Sequence, residues 1–359
     1  MTKILQGQIA ALFAFDVGQE VSLEKLRSMM ATTPVQPLSR KKLTPTYLQY
    51  TRPPQILSLG IATGPFPDPA EVQATIFDFG AVSIAYRWPL KAETSLEDLS
   101  RMSHDLYTLN LEPQAREQVL SLIGKIEPAI VRPCLADLVE DYYLFIIERL
   151  DQYFLAEELM SRHRTTLAQT LRFERAGLSR SQQEDALTQS ISYYETDLTL
   201  VDWNAAIIYD RDYEDTVNVL ELLNVELLEA RYIDARLDRR IIDYEALIRK
   251  PDKWPIPMRT PYKQAIQDLA ELRLESSLLN ERVENALKLV GDLYLARLYS
   301  AAAQRFYLQE WDRIISRKLE IISGFYQLLN DRIHNAQSQA LEVVIVVLIL
   351  VELLLAFRH

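Results

Sequence analysis

The distribution of proline is the feature that most limits how this chain can fold. Twelve of the sixteen prolines lie at or before Pro133, and the other four fall between Pro251 and Pro261. Only two of the nine glycines follow Gly177. Because proline and glycine interrupt regular helices, the sequence predicts a turn-rich first half followed by long uninterrupted helix.

The first half predicts an α+β domain over residues 1–210. Short runs rich in β-branched and aromatic residues, bounded by turn residues, are typical of strands. The predicted strands are Ile4–Asp16, Ile56–Ala62, Val72–Asp78, Ala81–Trp88, Tyr142–Glu148 and Leu198–Tyr209, of which the third and fourth form a hairpin. The predicted helices between them are Ser22–Met30, Ser95–Tyr107, Pro113–Ile126 and Asp151–Phe173. This irregular order favours an α+β fold over a regularly alternating parallel sheet.

The second half predicts paired helices. Apolar residues recur at helical spacing from Val217 to Ile248, and at coiled-coil spacing from Leu269 to Leu293. The connector at 251–261 cannot continue a helix, since its four prolines remove amide donors. Residues 211–305 therefore predict a long antiparallel helical hairpin. A further apolar stripe predicts a coiled-coil stalk over residues 306–340. Its partner is either the hairpin or the same stalk in other copies of the chain, and the second, a homo-oligomer, is the more economical interpretation.

The segment Leu341–Phe357 predicts a C-terminal transmembrane anchor. Fifteen of its seventeen residues are apolar, and a helix of this length spans roughly 25 Å, close to the thickness of a bilayer. Glu342 and Glu352 would then be intramembrane carboxylates, which are functional candidates wherever they occur. The expected partner of this segment is the lipid bilayer. The alternative is a core helix of a soluble oligomer.

Catalytic motifs are missing from the sequence. It contains no phosphate-binding loop, dinucleotide fingerprint, nucleophile elbow or zinc-binding His-Glu-x-x-His. The four histidines are too scattered to suggest a metal site. We therefore predict no catalytic residue, no metal, no cofactor and no enzymatic activity. The alternative is an enzyme whose site is assembled from dispersed residues of the first half.

The charge of the chain argues against nucleic acid as a general partner. A net charge of −11 argues against sequence-independent nucleic-acid binding by the protein as a whole, and we predict no DNA partner. A local basic stretch is nevertheless the best candidate for contact with phosphate or RNA, and it consists of Arg162, Arg164, Arg172, Arg175 and Arg180. Three nearby glutamates, Glu157, Glu158 and Glu174, dilute its positive charge and weaken this interpretation.

Three segments resemble one known family. ETDLTLVDWNAAIIYD (Glu195–Asp210), LLNVELLEARYIDARLD (Leu222–Asp238) and EWDRIISRKLEIISGFYQLLNDR (Glu310–Arg332) are similar to the YagE family. That family includes the eukaryotic proteins named for being required for meiotic nuclear division. The resemblance implies a mitochondrial inner-membrane protein that self-associates and supports translation by holding ribosomes near the membrane. Because this chain lacks a transit peptide, it points to a bacterial relative at the inner membrane, with most of the chain cytoplasmic.

The predicted function is a membrane-anchored, self-associating scaffold or tether that supports translation or places ribosomes at the membrane. The alternative is an oligomeric ion transport or channel protein with a layout like that of CorA, using the intramembrane carboxylates. The sequence contains no Gly-Met-Asn, so this alternative rests on an analogy of layout alone.

Overall fold

The computed structural model describes residues 2–29, 35–37, 53–249 and 293–356, together with three isolated helical positions at 267, 270 and 274. The chain divides into two compact units. The first consists of Met1–Glu229 and Val283–Gln309, and the second of Ala230–Arg282 and Glu310–His359.

A mixed β-sheet forms the centre of the first unit. The strands are β1 Lys3–Asp16, β2 Glu20–Val21, β3 Val35–Pro37, β4 Gln55–Ala62, β5 Ala70–Ile76, β6 Ala81–Pro89, β7 Thr94–Ser95, β8 Ile130–Val131, β9 Val139–Leu150, β10 Gln189–Ile191, β11 Leu198–Val201 and β12 Ala205–Tyr209. The main sheet has the order β10-β11-β12-β9-β1-β6-β5-β4-β3, with β7 also paired to β1. The pairing of β12 with β9 is parallel and the other pairings of this sheet are antiparallel. Strands β2 and β8 form a separate two-stranded sheet.

Nine helices accompany these strands in the described residues. They are α1 Leu23–Met29, α2 Leu96–Thr108, α3 Glu112–Ile126, α4 Ala156–Arg162, α5 Arg164–Arg172, α6 Arg180–Ala186, α7 Glu214–Arg249, α8 Leu293–Arg305 and α9 Leu308–Ala356. A positive φ of 56° at Tyr307 separates α8 from α9. The start of α2 is fixed by a capping box, in which Ser95 and Asp98 satisfy each other's backbone amides.

Helices cover both faces of the main sheet. In its central strands, the residues that face one side and the residues that face the other are both apolar. On β1, Phe13 and Phe15 join the large core that includes α2, α3 and α5, whereas Ala14 packs with Leu222 and Val225 of α7. Successive strand residues point to opposite faces, so the long apolar run of β1 follows from burial on both. The first unit is therefore a helix–sheet–helix sandwich, with α7 and α8 on one face.

One tight turn beside β6 requires glycine. Gly80 has a φ of 94°, and a Cβ on it would lie 1.8 Å from the carbonyl oxygen of Gly18. The amide of Val17 donates to the carbonyl oxygen of Gly80 at 2.8 Å. The β5–β6 hairpin and the end of β1 thus meet at a position where no side chain fits.

In the described part of the second unit, the later part of α7 packs against α9. Ala230, Leu237 and Tyr244 of α7 are buried against Ile315 and Ile322 of α9. Lys318 also bonds to Asp234 and Asp238 at 2.6 Å and 2.7 Å. The apolar stripes that the sequence places on α7 and α9 therefore cover each other within one chain.

The strand predictions of the first half are largely confirmed. The predicted hairpin is formed by β5 and β6, with Ile76 opposite Val82. Two segments differ from the prediction. Leu198–Tyr209 forms two strands, because Asp202–Asn204 make a tight turn, and Asp151–Phe173 forms two helices that meet at His163.

The prediction of a C-terminal transmembrane helix is wrong. Within the part of the chain that the structure describes, no helix combines the length and the apolarity that crossing a bilayer requires. The two carboxylates also limit the uninterrupted apolar stretch, because only nine residues, Val343–Val351, lie between Glu342 and Glu352. They span about 14 Å of helix, against about 30 Å of hydrocarbon. The predicted localisation through a single-pass anchor in the bacterial inner membrane is wrong for the same reason.

The predicted hairpin and coiled-coil stalk need correction as well. The described residues show no long hairpin stalk, since residues 308–340 belong to helix α9, whose apolar residues Ile315 and Ile322 pack against α7 of the same chain. The predicted connector at 251–261 lies outside the described residues. Coiled-coil spacing shows that a helix needs an apolar partner, but it does not say which helix supplies it.

Candidate functional site

Four charged side chains converge at one end of the sheet, where β11 turns into β12. The carboxylate of Asp202, whose side chain is 1% exposed, forms an ion pair with Arg172 Nε at 2.7 Å and accepts a hydrogen bond from Arg305 Nε at 2.8 Å. Asp185 accepts from Arg305 at 2.8 Å and is also paired with Arg172. We call these four residues the Arg–Asp cluster. It joins α5, α6, α8 and the β11–β12 turn.

Local backbone geometry fixes Asp202 in this position. Its amide donates to the carbonyl oxygen of Ala205 at 2.8 Å, and its Oδ1 accepts from the amide of Trp203 at 2.8 Å. Tyr142 Oη donates to its carbonyl oxygen at 3.1 Å. The turn is therefore held by hydrogen bonds on both its backbone and its carboxylate.

Within the Arg–Asp cluster, the surroundings favour the charged forms of Asp185 and Arg305. Hydrogen bonding from Arg305, with a further contribution from Arg172, holds the pKa of Asp185 below its ordinary value. Burial acts to lower the pKa of Arg305, but hydrogen bonds to Asp185 and Asp202 outweigh it and raise the pKa. Opposite charges that are this close stabilise each other's ionised state. The cluster is thus held together by ion pairs within the chain, and Arg172 Nε and Asp202 Oδ2 face each other without a hydrogen-bond partner among the described residues.

The arginines of the predicted basic stretch mostly contact other residues of the same chain. Arg172 belongs to the Arg–Asp cluster, and Arg175 is paired with Asp105. Arg164 and Arg180 both pair with Glu184, at 3.7 Å and 3.0 Å. The guanidinium of Arg162 lies over the ring of Phe154, 5.7 Å from its centroid. The stretch is thus not one open basic surface. Its contact with phosphate or RNA stays a prediction.

Buried carboxylates on α7 form a second group of unusual residues. Glu226 accepts a hydrogen bond from Tyr299 Oη at 2.7 Å, and Glu221 accepts one from Thr75 Oγ1 at 3.3 Å. Burial raises the pKa of Glu226 to about 8, although the Tyr299 hydrogen bond opposes the change. Burial also raises the pKa of Glu221. A raised carboxyl pKa in an apolar setting is a common property of functional acids, but structural carboxylates share it.

The burial of these carboxylates could be predicted from the residues around them, although not from a single apolar stripe. In Val219–Ala230 apolar residues occupy nearly every face of the helix, and the glutamates stand between them. Such a helix is packed on more than one side, so its polar residues are buried too. The single apolar stripe predicted for this helix does not include Glu221 and Glu226, so neither was predicted as a site residue.

The last part of α9 is the largest exposed apolar surface of the described chain. Thirteen aliphatic side chains from Leu341 to Leu355 are each between 47% and 65% exposed. The predicted site residues Glu342 and Glu352 lie among them and are exposed as well. We call Leu341–Leu355 the apolar end of α9. The two glutamates are ten positions apart and do not come together.

No metal centre is evident in residues 2–29, 53–249 and 293–356. In this part of the chain, no group of three or more His, Cys, Asp or Glu side chains is placed to hold a metal ion. Cys134 is exposed and free.

Comparison with known proteins gives a family match that lies within the first unit. Residues 6–216 match the family model described as "Uncharacterized protein MJ0711, N-terminal domain". The protein "Uncharacterized protein MJ0711" of Methanocaldococcus jannaschii is 28% identical over 220 residues, which are 61% of this chain and 66% of that protein. The match thus spans just under two thirds of the relative's length. No solved structure matches the chain.

Proposed function

We propose that this chain, which belongs to the family described as "Uncharacterized protein MJ0711, N-terminal domain", is a non-enzymatic scaffold that works as a self-associated assembly. The observation that carries this proposal is the apolar end of α9. The earlier part of the same helix is covered by α7 of its own chain, through residues such as Ile315 and Ile322. The apolar end is exposed instead.

The size of this surface supports a second copy of the chain as its partner. Thirteen half-exposed aliphatic side chains present on the order of 1,000 Å² of apolar surface per copy, against roughly 800 Å² per partner in a standard interface. Single folded proteins rarely expose a contiguous apolar patch above about 600 Å². Because every copy carries the same surface, association between copies covers it without a further component.

Support of translation is the proposed use of the scaffold. This part rests on the resemblance to the YagE family, and it makes the ribosome a proposed partner. The ion-transport alternative is not carried forward, because it depends on a membrane-spanning helix. A co-purification test separates the two parts of the proposal: ribosomal proteins recovered with the assembly would support the tether, and their absence would leave a scaffold for other partners.

The test of self-association is the mass of the full chain as a function of concentration. At pH 6, we expect light scattering after size-exclusion chromatography to show a mass above that of one chain over about 1–100 µM. Leu348→Lys places a charge in the apolar end and should shift the mass towards one chain. Gln327→Lys, which adds the same charge at an exposed position earlier in α9, should behave as the unchanged protein. A single-chain mass for the unchanged protein throughout this range would contradict the proposal.

A further inference from the structure

The apolar end of α9 carries two acids and no base. From Asn335 to Ala356 the ionisable residues are Glu342 and Glu352, and both are exposed in the single chain. The nine residues between them are uncharged. A surface that is otherwise fully aliphatic therefore has a carboxylate near each of its ends.

We propose that self-association through the apolar end takes up protons at Glu342 and Glu352, so that the assembly is controlled by pH. This inference rests on the proposed function, because it concerns the same surface and the same partner, a second copy of the chain. It adds pH regulation to the proposed function: a lower pH favours association of the copies, and a higher pH favours their dissociation.

Desolvation is the first reason. The aliphatic side chains surround the α9 helix on all sides, so covering them with other copies also removes water from the glutamates beside them. Taking an ionised carboxylate out of water is costly, whereas the protonated carboxyl is neutral and enters an apolar interface more readily. Association therefore favours the protonated form.

Like charge is the second reason. Each added copy brings its own Glu342 and Glu352, and residues 335–356 supply no lysine, arginine or histidine to neutralise them. His334 lies eight residues before Glu342, roughly 12 Å along the helix. Arg358 and His359 follow in the sequence outside the described residues. Ionised glutamates on neighbouring copies consequently repel each other in parallel and antiparallel arrangements alike.

The number of protons taken up on association determines how steeply the association constant depends on pH. For each proton that a copy takes up on association, the association constant changes about tenfold per pH unit. Two carboxylates per copy set the upper limit at two protons. We expect the association constant to fall at least about tenfold between pH 6 and pH 8.5.

The experiment compares the association constants of three full-length proteins by sedimentation at fixed ionic strength, from pH 6 to pH 8.5. The range stops at pH 6 because the chain, with a net charge of −11 at pH 7, approaches neutrality on further acidification and can then associate non-specifically. The unchanged protein should dissociate as pH rises. The double variant Glu342→Gln and Glu352→Gln should associate strongly at every pH. Glu320→Gln, at an exposed position of α9 outside the apolar end, should keep the pH dependence of the unchanged protein.

The outcomes separate the regulation from the association itself. Association that is present but independent of pH, or a double variant with an unchanged pH dependence, would overturn the proton linkage and leave the scaffold standing. Single chains at every pH for all three proteins would overturn both. Binding to added phosphatidylcholine vesicles without any self-association would also overturn both, because it would assign the apolar end a different partner.

Discussion

The phenol of Tyr299 donates a 2.7 Å hydrogen bond to Oε2 of Glu226, and both side chains are buried between α7 and α8. Tyr299 reaches Glu226 across 73 positions of sequence. The pair places a carboxyl group in an apolar layer with one hydrogen-bond donor among the described residues, and burial raises its pKa to about 8.

The first prediction concerns the pH dependence of stability. The pKa of Glu226 is raised above its ordinary value to about 8, so between these values the folded chain binds more protons than the unfolded one. The contribution of Glu226 to the free energy of unfolding is thus fully present at low pH and is lost as pH rises through about 8. Glu226→Gln should reduce the loss by up to about 1.4 kcal/mol per pH unit, measured by denaturant unfolding from pH 5 to pH 9. Glu174→Gln, at an exposed position, should leave the slope unchanged; the same slope in Glu226→Gln would refute the assignment.

The second prediction compares two buried tyrosines. Tyr142 donates its hydroxyl hydrogen to the carbonyl oxygen of Asp202 at 3.1 Å, whereas the hydroxyl of Tyr86 has no hydrogen-bond partner among the described residues. Tyr142→Phe should lower the free energy of unfolding by about 1 kcal/mol, since it leaves the acceptor unpaired. Tyr86→Phe should be neutral or stabilising, because it removes a buried polar group that lacks a partner. Equal losses in the two variants would speak against these hydrogen-bond assignments.

The third prediction concerns the Arg–Asp cluster. Asp202→Asn removes the charge that Arg172 and Arg305 share, and it leaves both partly buried guanidinium groups under-compensated. We expect a loss of about 3 kcal/mol in the free energy of unfolding. Asp105→Asn breaks the exposed pair with Arg175 and should cost less than about 1 kcal/mol. Thermal unfolding of both variants in parallel checks this, and a mild effect of Asp202→Asn would mean that the cluster is not structural.

The fourth prediction concerns the helix pair of the second unit. Leu237 of α7 is fully buried in the contact with α9, whereas Ile242 on the same helix is 65% exposed. Leu237→Ala should cost about 2–5 kcal/mol through lost burial and the cavity that it leaves. Ile242→Ala should change stability by no more than about 0.5 kcal/mol. Hydrogen exchange of the α7 and α9 amides would localise the loss, and similar effects of both changes would contradict the packing.

Local sequence signals were sufficient to predict most strands of the first unit. Ala81–Pro89 is a strand because β-branched and aromatic residues alternate in it, and Gly80 marks its start because no side chain fits there. The pairing order of the sheet was not predictable from such signals. The parallel neighbour of β9 is β12, which returns only after α4, α5 and α6, and composition does not specify a partner that distant.

The helices of the second half show a different limit. Periodicity correctly marked an apolar stripe on Ile315 and Ile322, but intramolecular and intermolecular partners give the same pattern. Among the predicted site residues, Arg172 does lie in a charged cluster, yet its partners Asp202 and Arg305 are separated by 103 positions. The sequence offered no reason to bring these three together. Glu226 was missed because its burial depends on α8 as well as on its own helix.

The order of segments in the first unit sets a practical boundary for dissecting this protein. The family match ends at residue 216, but the unit also includes Val283–Gln309. A fragment that stops at 216 would lack Arg305, the partner of Asp202, and Phe306, whose ring lies 5.0 Å from that of Tyr142. One face of its sheet would be stripped of its cover, and we expect it to precipitate on expression. The intervening residues are in this sense an insertion into the first unit, and the shortest piece that retains all of that unit's segments runs to about residue 309.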